Sequence, residues 1–293
     1  MRIFQVDAFT RTPFTGNPAI VVLDADERDE ATLSAIAREF AHAEVAFVFA
    51  ANAADHDVRL RFFNARKEAA FVGHATVAAH AVLFAGGRRG TGVCRQSSGT
   101  GIIEVRVRDR DGFMAEIRQT PSELDAPLPL KTTLRVAEAL HLSGTQLHET
   151  LPARVARKGS TRLLVPVAHA EALDTLEPNF ETLLALGGEL KVEGFFVFSV
   201  TREARGVYTD SRMFCPALGI AEDPVSGNAH GMLAAYLWAL GELGNAARFS
   251  GRQGRHVARP GEVEVDLEID RGRLAAVRIG GRAVIVSEGR LLL

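Results

Sequence analysis

The chain carries an internal repeat, which restricts the folds that it can adopt. Residues 73–85, GHATVAAHAVLFA, align with residues 227–239, GNAHGMLAAYLWA, at an offset of 154. In both segments apolar residues recur at i, i+3, i+4, i+7 and i+8, which is the spacing of one helix face. The remaining positions are also largely apolar, as in a helix that is buried on most sides. The repeat therefore predicts one central helix in each half of the chain.

Shorter segments around the two helices repeat in the same order. Residues 103–117 and 263–277 each show an alternating strand, a Gly-containing turn and another strand. Two further pairs precede the helices: 44–50 with 193–200, and 59–64 with 210–216. This order predicts an α+β protein of two pseudo-symmetric domains, each a curved, mostly antiparallel sheet or barrel around its central helix.

The boundary between the halves is predicted at residues 119–133, where proline and charge replace the periodic pattern. A chain of 293 residues fits two domains. We expect an N-terminal half over 1–120 and a C-terminal half over 121–280. The last segment, 281–293, is expected to form a terminal strand that is available to return to the first domain.

Composition argues against several classes of partner. The net charge is −2 and both signs are interspersed, which leaves no basic surface for nucleic acid or an anionic membrane. Asp7 interrupts the apolar start of the chain, and no stretch approaches about 18 uninterrupted apolar residues. We therefore expect a cytoplasmic protein without a membrane segment.

Metal and cofactor sites are not predicted. Cys94 and Cys215 are the only cysteines, and we expect two reduced core thiols rather than a disulfide framework or a metal site. The nine histidines show no HExxH or paired-ligand spacing. The glycine-rich segment at 86–92 lacks both the spacing and the following helix of a dinucleotide loop.

Both predicted helices begin at a glycine that follows an irregular segment, at Gly73 and at Gly227. Glycine permits close approach to the backbone, and the unpaired first-turn amides of a helix favour an anion. Two such helix starts facing one cleft would hold a carboxylate. The glycines fit equally well a role in turning the chain into two buried helices.

Several motifs together resemble one protein family. They are TGNPAIVVL (15–23), AEVAFVF (43–49), RFFNARKEAAFVGHATVAA (61–79), MFCPALGIAEDPVSGNAHGMLAAYL (213–237) and QGRHVARPGEVEV (253–265). The chain resembles, over nearly its whole length, the phenazine-biosynthesis protein F-like (PhzF-like) isomerases, which have the diaminopimelate epimerase-like fold. The resemblance implies a homodimeric isomerase that acts on a small carboxylate-bearing molecule, without a metal or an organic cofactor.

The resemblance also implies roles for individual residues. Glu44 matches the family's proton donor and acceptor. The other residues that it places around the substrate are Asn17, Gly73, His74, Asp223, Gly227 and Asn228. Two positions depart from the family pattern: Asn228 stands where many relatives have Ser, and Val72 where many have Cys.

The residues themselves allow two interpretations at each position. Glu44 precedes the apolar segment VAFVF, and burial there would raise its pKa toward neutrality, so that one carboxyl serves as acid and base. A surface glutamate at a strand start is the ordinary alternative. His74 either contacts substrate and relays a proton or is a satisfied histidine at a helix start. Asp223 either orients the substrate or caps a turn, and its neighbour Glu222 is the weaker candidate.

Three hypotheses of function follow. The first is a cofactor-independent isomerase that moves a proton. The second is an epimerase or racemase of the same fold, whose two thiols would fall near Val72 and Ser226; neither residue supplies a thiolate. The third is a non-catalytic protein that binds a small metabolite, and only a measurement of turnover separates it from the first.

Overall fold

The computed structural model describes residues 1–26, 28–40, 44–109, 111–204 and 206–293. These residues form two compact units. The first consists of residues 1–119 and 279–293, and the second of residues 120–278.

The first unit is built mainly of strands around one long helix. In chain order its elements are β1 (Arg2–Ala8), β2 (Asn17–Leu23), α1 (Glu30–Glu39), β3 (Glu44–Phe49), β4 (Val58–Phe63), β5 (Glu68–Ala69), α2 (Gly73–Ala85), β6 (Gly92–Ser98), β7 (Gly101–Asp109) and β8 (Phe113–Gln119). The second unit contributes β9 to β17, and the chain ends with β18 (Ala283–Arg290) in the first unit. There β18 pairs antiparallel with β1, which also pairs antiparallel with β2.

Helix α2 is the core of the first unit and contacts β1, β2, β3, β8 and β18. Its residues from Ala75 to Leu83 are buried, as the apolar pattern on all faces predicts. Successive side chains of β3 point to opposite faces of the sheet, and both faces are buried. Ala46 and Val48 pack with α2, whereas Val45 and Phe47 pack on the opposite face, in a cluster that includes residues of α1.

The second unit repeats this arrangement and adds helices on its outer face. Its elements are β9 (Glu123–Leu124), α3 (Leu130–Ala139), β10 (Arg154–Arg157), β11 (Thr161–Pro166), α4 (Glu171–Asp174), α5 (Phe180–Leu190), β12 (Gly194–Glu203), β13 (Gly206–Cys215), β14 (Ile220–Asp223), α6 (Gly227–Ala239), β15 (Arg248–Gln253), β16 (Gly261–Asp270) and β17 (Arg273–Gly281), which crosses the boundary at residue 278. Short 3₁₀ helices lie at Gly144–Gln146, Pro216–Leu218 and Arg255–Val257.

Strand alternation also divides the core of the second unit. Phe195 and Val197 of β12 pack in the cluster that contains residues of α3 and α5. The next residue on the other face, Phe196, meets the ring of His230 in α6, with centroids 5.2 Å apart. Phe198 likewise meets Tyr236, at 5.5 Å. Helix α6 is thus the buried counterpart of α2.

The strand pairings confirm the repeat. In the first unit β2–β3 is parallel, β3–β4 antiparallel, β4–β6 parallel and β6–β7 antiparallel. In the second unit β11–β12, β12–β13, β13–β15 and β15–β16 follow the same sequence of directions. The predicted α+β fold with a central helix in each unit is therefore confirmed, with parallel pairs placed at equivalent positions.

The helices also bear on membrane insertion. Among the described residues, no helix combines the length and the apolar character needed to cross a membrane.

Candidate active site

The first unit brings Glu44 and His74 together, although they lie thirty residues apart in the chain. Glu44 is the first residue of β3 and lies on the strand face of Ala46 and Val48, which pack with α2. His74 is the second residue of α2. The two side chains meet with His74 Nε2 3.4 Å from Glu44 Oε2. Strand alternation and the helix start together create this acid–imidazole pair.

The ionisation of Glu44 differs from the expectation drawn from its sequence. Its side chain is 27% exposed and that of His74 is 12% exposed. Burial by itself raises the pKa of Glu44, but hydrogen bonding and charge attraction from His74 outweigh it, so the pKa lies below its usual value. The expectation of a raised pKa was wrong because a strand pattern does not reveal the imidazole. The resting carboxyl is ionised at neutral pH and is therefore a base.

Asn17 lies on β2, the strand that pairs with the strand of Glu44. It is buried, begins β2, and shares the strand face of Ala19 and Val21, which pack with α2. Ala19 is the register partner of Glu44 in the parallel β2–β3 pair. The preceding Gly16 has φ of 65°, and a Cβ there would lie 2.2 Å from the carbonyl oxygen of Ala8. Only glycine fits this turn, which sets the start of β2.

The first turn of α2 presents an open stretch of backbone. The helix begins at Gly73, as predicted, and Val72 before it has no polar side chain to cap the turn. Among the described residues, a Cβ on Gly73 would come within 4 Å only of Phe71 Cε1, at 3.9 Å, which is an ordinary contact. The described residues therefore leave the backbone at Gly73 open, and the first-turn amides favour an anion there.

We expect Gly73→Ala to reduce turnover without unfolding the protein. The added methyl clashes with none of the residues that the structure describes, and alanine is up to about 1 kcal/mol better than glycine in a helix, so the melting temperature should hold or rise. The methyl occupies the space where an anion would approach, and we expect a loss of roughly tenfold or more in kcat/KM, equivalent to about 1.4 kcal/mol.

The matched control is Gly188→Ala. Gly188 lies in α5, and a Cβ there meets no atom of the described residues within 4 Å. This variant should match the wild type in turnover, and its melting temperature should hold or rise for the same reason as in Gly73→Ala. Full activity in Gly73→Ala would show that the open backbone at Gly73 takes no part in binding.

In the second unit the corresponding segment runs from Asp223 to Asn228. Strand β14 ends at Asp223, and α6 begins at Gly227, as predicted. Ser226 caps the helix: its Oγ accepts from the amide of Ala229 at 3.3 Å. Asn228 donates from Nδ2 to Ser160 Oγ at 2.6 Å. The Ser226 cap and the bond from Asn228 to Ser160 fix the first turn of α6.

The carboxyl of Glu222, next to Asp223, is held by an arginine. Glu222 accepts two hydrogen bonds from Arg212, at 3.1 and 2.8 Å, and both side chains are about nine-tenths buried. Arg212 also donates to the carbonyl oxygens of Leu173 and Leu176. The carboxyl of Glu222 is therefore held in the core of the unit by Arg212.

Gln253 supports this segment and was not among the residues singled out from the sequence. The buried amide of Gln253 donates from Nε2 to the carbonyl oxygen of Asp223 at 2.7 Å. Its Oε1 accepts from the amide of Ser226 at 3.1 Å. One side chain thus braces the turn from Asp223 to Ser226. Its only sequence signal is that the family-like segment 253–265 begins at this residue.

The two cysteines lie in the core, as predicted. Cys94 and Cys215 are free and buried. Burial raises the pKa of Cys94 to about 11 and that of Cys215 to about 12. Val72 and Ser226, where a two-thiol enzyme of this fold would need cysteines, are the residues that directly precede α2 and α6. Thiolate chemistry is therefore disfavoured at these positions.

The fold belongs to a class that includes epimerases and racemases. A hydroxyproline epimerase from Agrobacterium vitis has the same fold, with a TM-score of 0.66 at 15% identity over 99% of this chain and 91% of that one. A Bacillus anthracis phenazine biosynthesis protein of the PhzF family is more similar, with a TM-score of 0.87 at 26% identity over 100% and 99% of the two chains. The architecture is therefore diaminopimelate epimerase-like.

The sequence comparisons identify the family within this class. The Escherichia coli O157:H7 protein named uncharacterized isomerase YddE is 38% identical over 97% of this chain and 96% of its own length. The model of the phenazine biosynthesis-like protein family, PhzC-PhzF, matches residues 6–289. The chain belongs to this family, and it is an isomerase.

Proposed function

We propose that this isomerase moves a proton between two carbons of a small carboxylate-bearing substrate, without a cofactor, and that Glu44 carries the proton. The observation that supports the proposal is the Glu44–His74 pair at the open start of α2. An ionised, half-buried carboxylate is a base in a site with reduced water access, and its protonated form returns the proton readily.

The proposed reaction conserves all atoms and needs no oxidant. Glu44 removes a proton from one carbon, and the electron pair of that C–H bond enters the adjacent unsaturated system, where an anion-binding helix start stabilises the developing charge. The electrons then form a new C–H bond at a second carbon with the proton from Glu44. His74, 3.4 Å from Glu44, favours the ionised carboxyl before and after the transfer.

The remaining residues are assigned to substrate binding. Gly73 supplies open backbone, and Asn17 supplies an amide on the same strand face as Ala19, the register partner of Glu44. We propose that Asp223 orients the substrate and that the Gly227–Asn228 turn binds it; Gln253 and Ser226 support this segment. The shared role of the two helix starts stays a prediction.

Proton exchange with solvent tests the proposal directly. The protein, dialysed against chelator, is incubated in deuterated water with a panel of α-amino acids, cyclic imino acids and unsaturated carboxylic acids. We expect at least one compound to lose a C–H signal by proton NMR as the signals of an isomer appear. A thermal-shift screen selects the panel, since a ligand at 100 times its Kd stabilises by ~2.7 kcal/mol.

Each other outcome assigns a different function. Compounds that stabilise the protein but neither exchange nor isomerise would identify a binding protein without chemistry. Exchange with inversion at a single carbon would identify an epimerase. Activity that returns only when a divalent ion is added would contradict cofactor independence.

A further inference from the structure

The turn between β10 and β11 places two polar side chains on the face of α6. Gly159, with φ of 63°, forms the turn, and the amide of Lys158 donates to the carbonyl oxygen of Ser160 at 2.9 Å. Residues directly opposite each other in such a hairpin point to the same face. Val155 and Leu163 belong to the opposite face, packed in the cluster that contains residues of α3 and α5. Lys158 and Ser160 therefore lie on the α6 side.

Ser160 connects this turn to the start of α6. Its Oγ accepts from Asn228 Nδ2 at 2.6 Å. Asn228 stands where many relatives have Ser. A serine there would be shorter and would have no amide group, so it could not make this bond to Ser160. Having accepted this bond, the Ser160 hydroxyl keeps its own proton to donate.

Lys158 is a half-buried ammonium group beside neutral oxygens. Its Nζ donates to the carbonyl oxygen and to Oγ1 of Thr120. In the part of the chain that the structure describes, no carboxylate lies within ion-pair distance of it. Burial without a compensating charge lowers the pKa of Lys158 to about 8.

Two other cations of these strands, Arg157 and Arg162, contrast with Lys158. Arg157 next to it is paired with Asp125 at 2.7 Å, and Arg162 is paired with Glu193 at 3.1 Å. A half-buried charge is costly unless it is paired. Near Lys158, Ser122 also has a buried Oγ for which the described residues supply no hydrogen-bond partner. In the antiparallel β9–β10 pair, Leu124 lies opposite Ala156 and Glu123 opposite Arg157. Extended by one residue, this register places Ser122 opposite Lys158.

We infer that Lys158, with Ser160 and Asn228, binds a carboxylate of the substrate. Three donor groups lie on one face: the ammonium group of Lys158, the hydroxyl of Ser160 and the amide of Asn228. Such a set matches a carboxylate, which accepts several charge-assisted hydrogen bonds. The inference deepens the proposed function and rests on it. It narrows the substrate to compounds with an acidic group that the second unit recognises.

Site-resolved lysine labelling tests the inference without catalysis. The chain has four lysines, at 67, 131, 158 and 191. The protein is methylated with formaldehyde and borohydride at constant ionic strength, and each lysine is quantified by peptide mass spectrometry. We expect excess succinate to slow the labelling of Lys158 at least threefold and to leave the other three unchanged. Its neutral analogue succinamide should have no effect.

Three outcomes would overturn the inference. Equal labelling of Lys158 with and without succinate would show that no carboxylate binds there. Protection by inorganic phosphate but not by succinate would assign a different anion. A Lys158 that stays unlabelled in the absence of any ligand would be closed to small molecules.

Variants separate a binding role from a structural one. Lys158→Met keeps a long unbranched side chain without the charge, and Lys158→Arg keeps the charge. With the substrate found by deuterium exchange, we expect Lys158→Met to raise KM at least tenfold with a smaller change in kcat, and Lys158→Arg to restore part of the loss. Lys131→Met in α3 is the control. An unchanged KM in Lys158→Met refutes this inference alone, whereas absence of exchange in the wild type refutes the proposed function.

Discussion

Glu44→Gln is expected to lower turnover roughly 10²–10⁴-fold while the protein stays folded. The amide is nearly isosteric and fills the same half-buried position at the start of β3. It cannot accept a proton from one carbon and return it to another. The measurement is the rate of deuterium incorporation and isomer formation, with the melting temperature as the check on folding. Ligand binding should persist, because the change removes a proton carrier and leaves the helix starts intact.

The internal repeat supplies a matched control for this substitution. Glu193 precedes β12 as Glu44 begins β3, but it accepts hydrogen bonds from the amide of Thr161 and from Arg162. Glu193→Gln keeps an acceptor oxygen there and should retain near wild-type turnover. If Glu44→Gln keeps its activity while His74→Ala or Asp223→Asn abolishes it, the proton carrier has been assigned to the wrong residue.

The second large effect is expected on stability in acid. His80 in α2 and His230 in α6 are fully buried, and burial lowers the pKa of each to about 4. Between about pH 6.5 and 4 the unfolded chain binds protons that the folded chain does not, so stability falls as the pH falls. As the pH falls from about 7.5 to 5, each histidine should lower the free energy of unfolding by on the order of 2 kcal/mol. The measurement is the urea unfolding midpoint at each pH.

A single substitution isolates the contribution of one histidine. His80 Nε2 lies 3.0 Å from Gln96 Oε1, so the neutral ring donates to this amide. His80→Gln keeps a donor that does not titrate. The difference between the urea unfolding midpoints at about pH 7.5 and 5 should therefore shrink. His141→Gln, at an exposed position, should leave the difference unchanged. An unchanged difference in His80→Gln would mean that the acid sensitivity arises elsewhere.

The two units share a backbone plan more than they share side chains. Both units place a glycine at the start of a buried helix, and each helix buries a histidine, but at different positions: at the offset of 154, His80 aligns with Ala234 and His230 with Thr76. Their surroundings differ: His80 faces Gln96, whereas the ring of His230 lies against Gly251, where a Cβ would come within 2.0 Å of it. The duplication therefore conserves the backbone plan while the side chains around it have diverged.

The sequence by itself determined the architecture. The helix pattern at 73–85 and 227–239, the alternating strands and the order of the repeats predict both central helices and their first residues. These features are local, because a helix or strand pattern depends on residues within a few positions of each other. The motifs at 15–23, 43–49, 61–79, 213–237 and 253–265 were also sufficient to predict the family.

Only the tertiary structure decided the chemistry of individual groups. The pKa of Glu44 falls because β3 and α2 bring His74 to it, and the bracing of Asp223 depends on Gln253 in β15. Lys158 stands out because no carboxylate of the described residues lies within ion-pair distance of it, whereas Arg157 and Arg162 are paired. Such contacts join residues far apart in the chain, and their free energies depend on burial and on distances of a few ångströms, which no local pattern encodes.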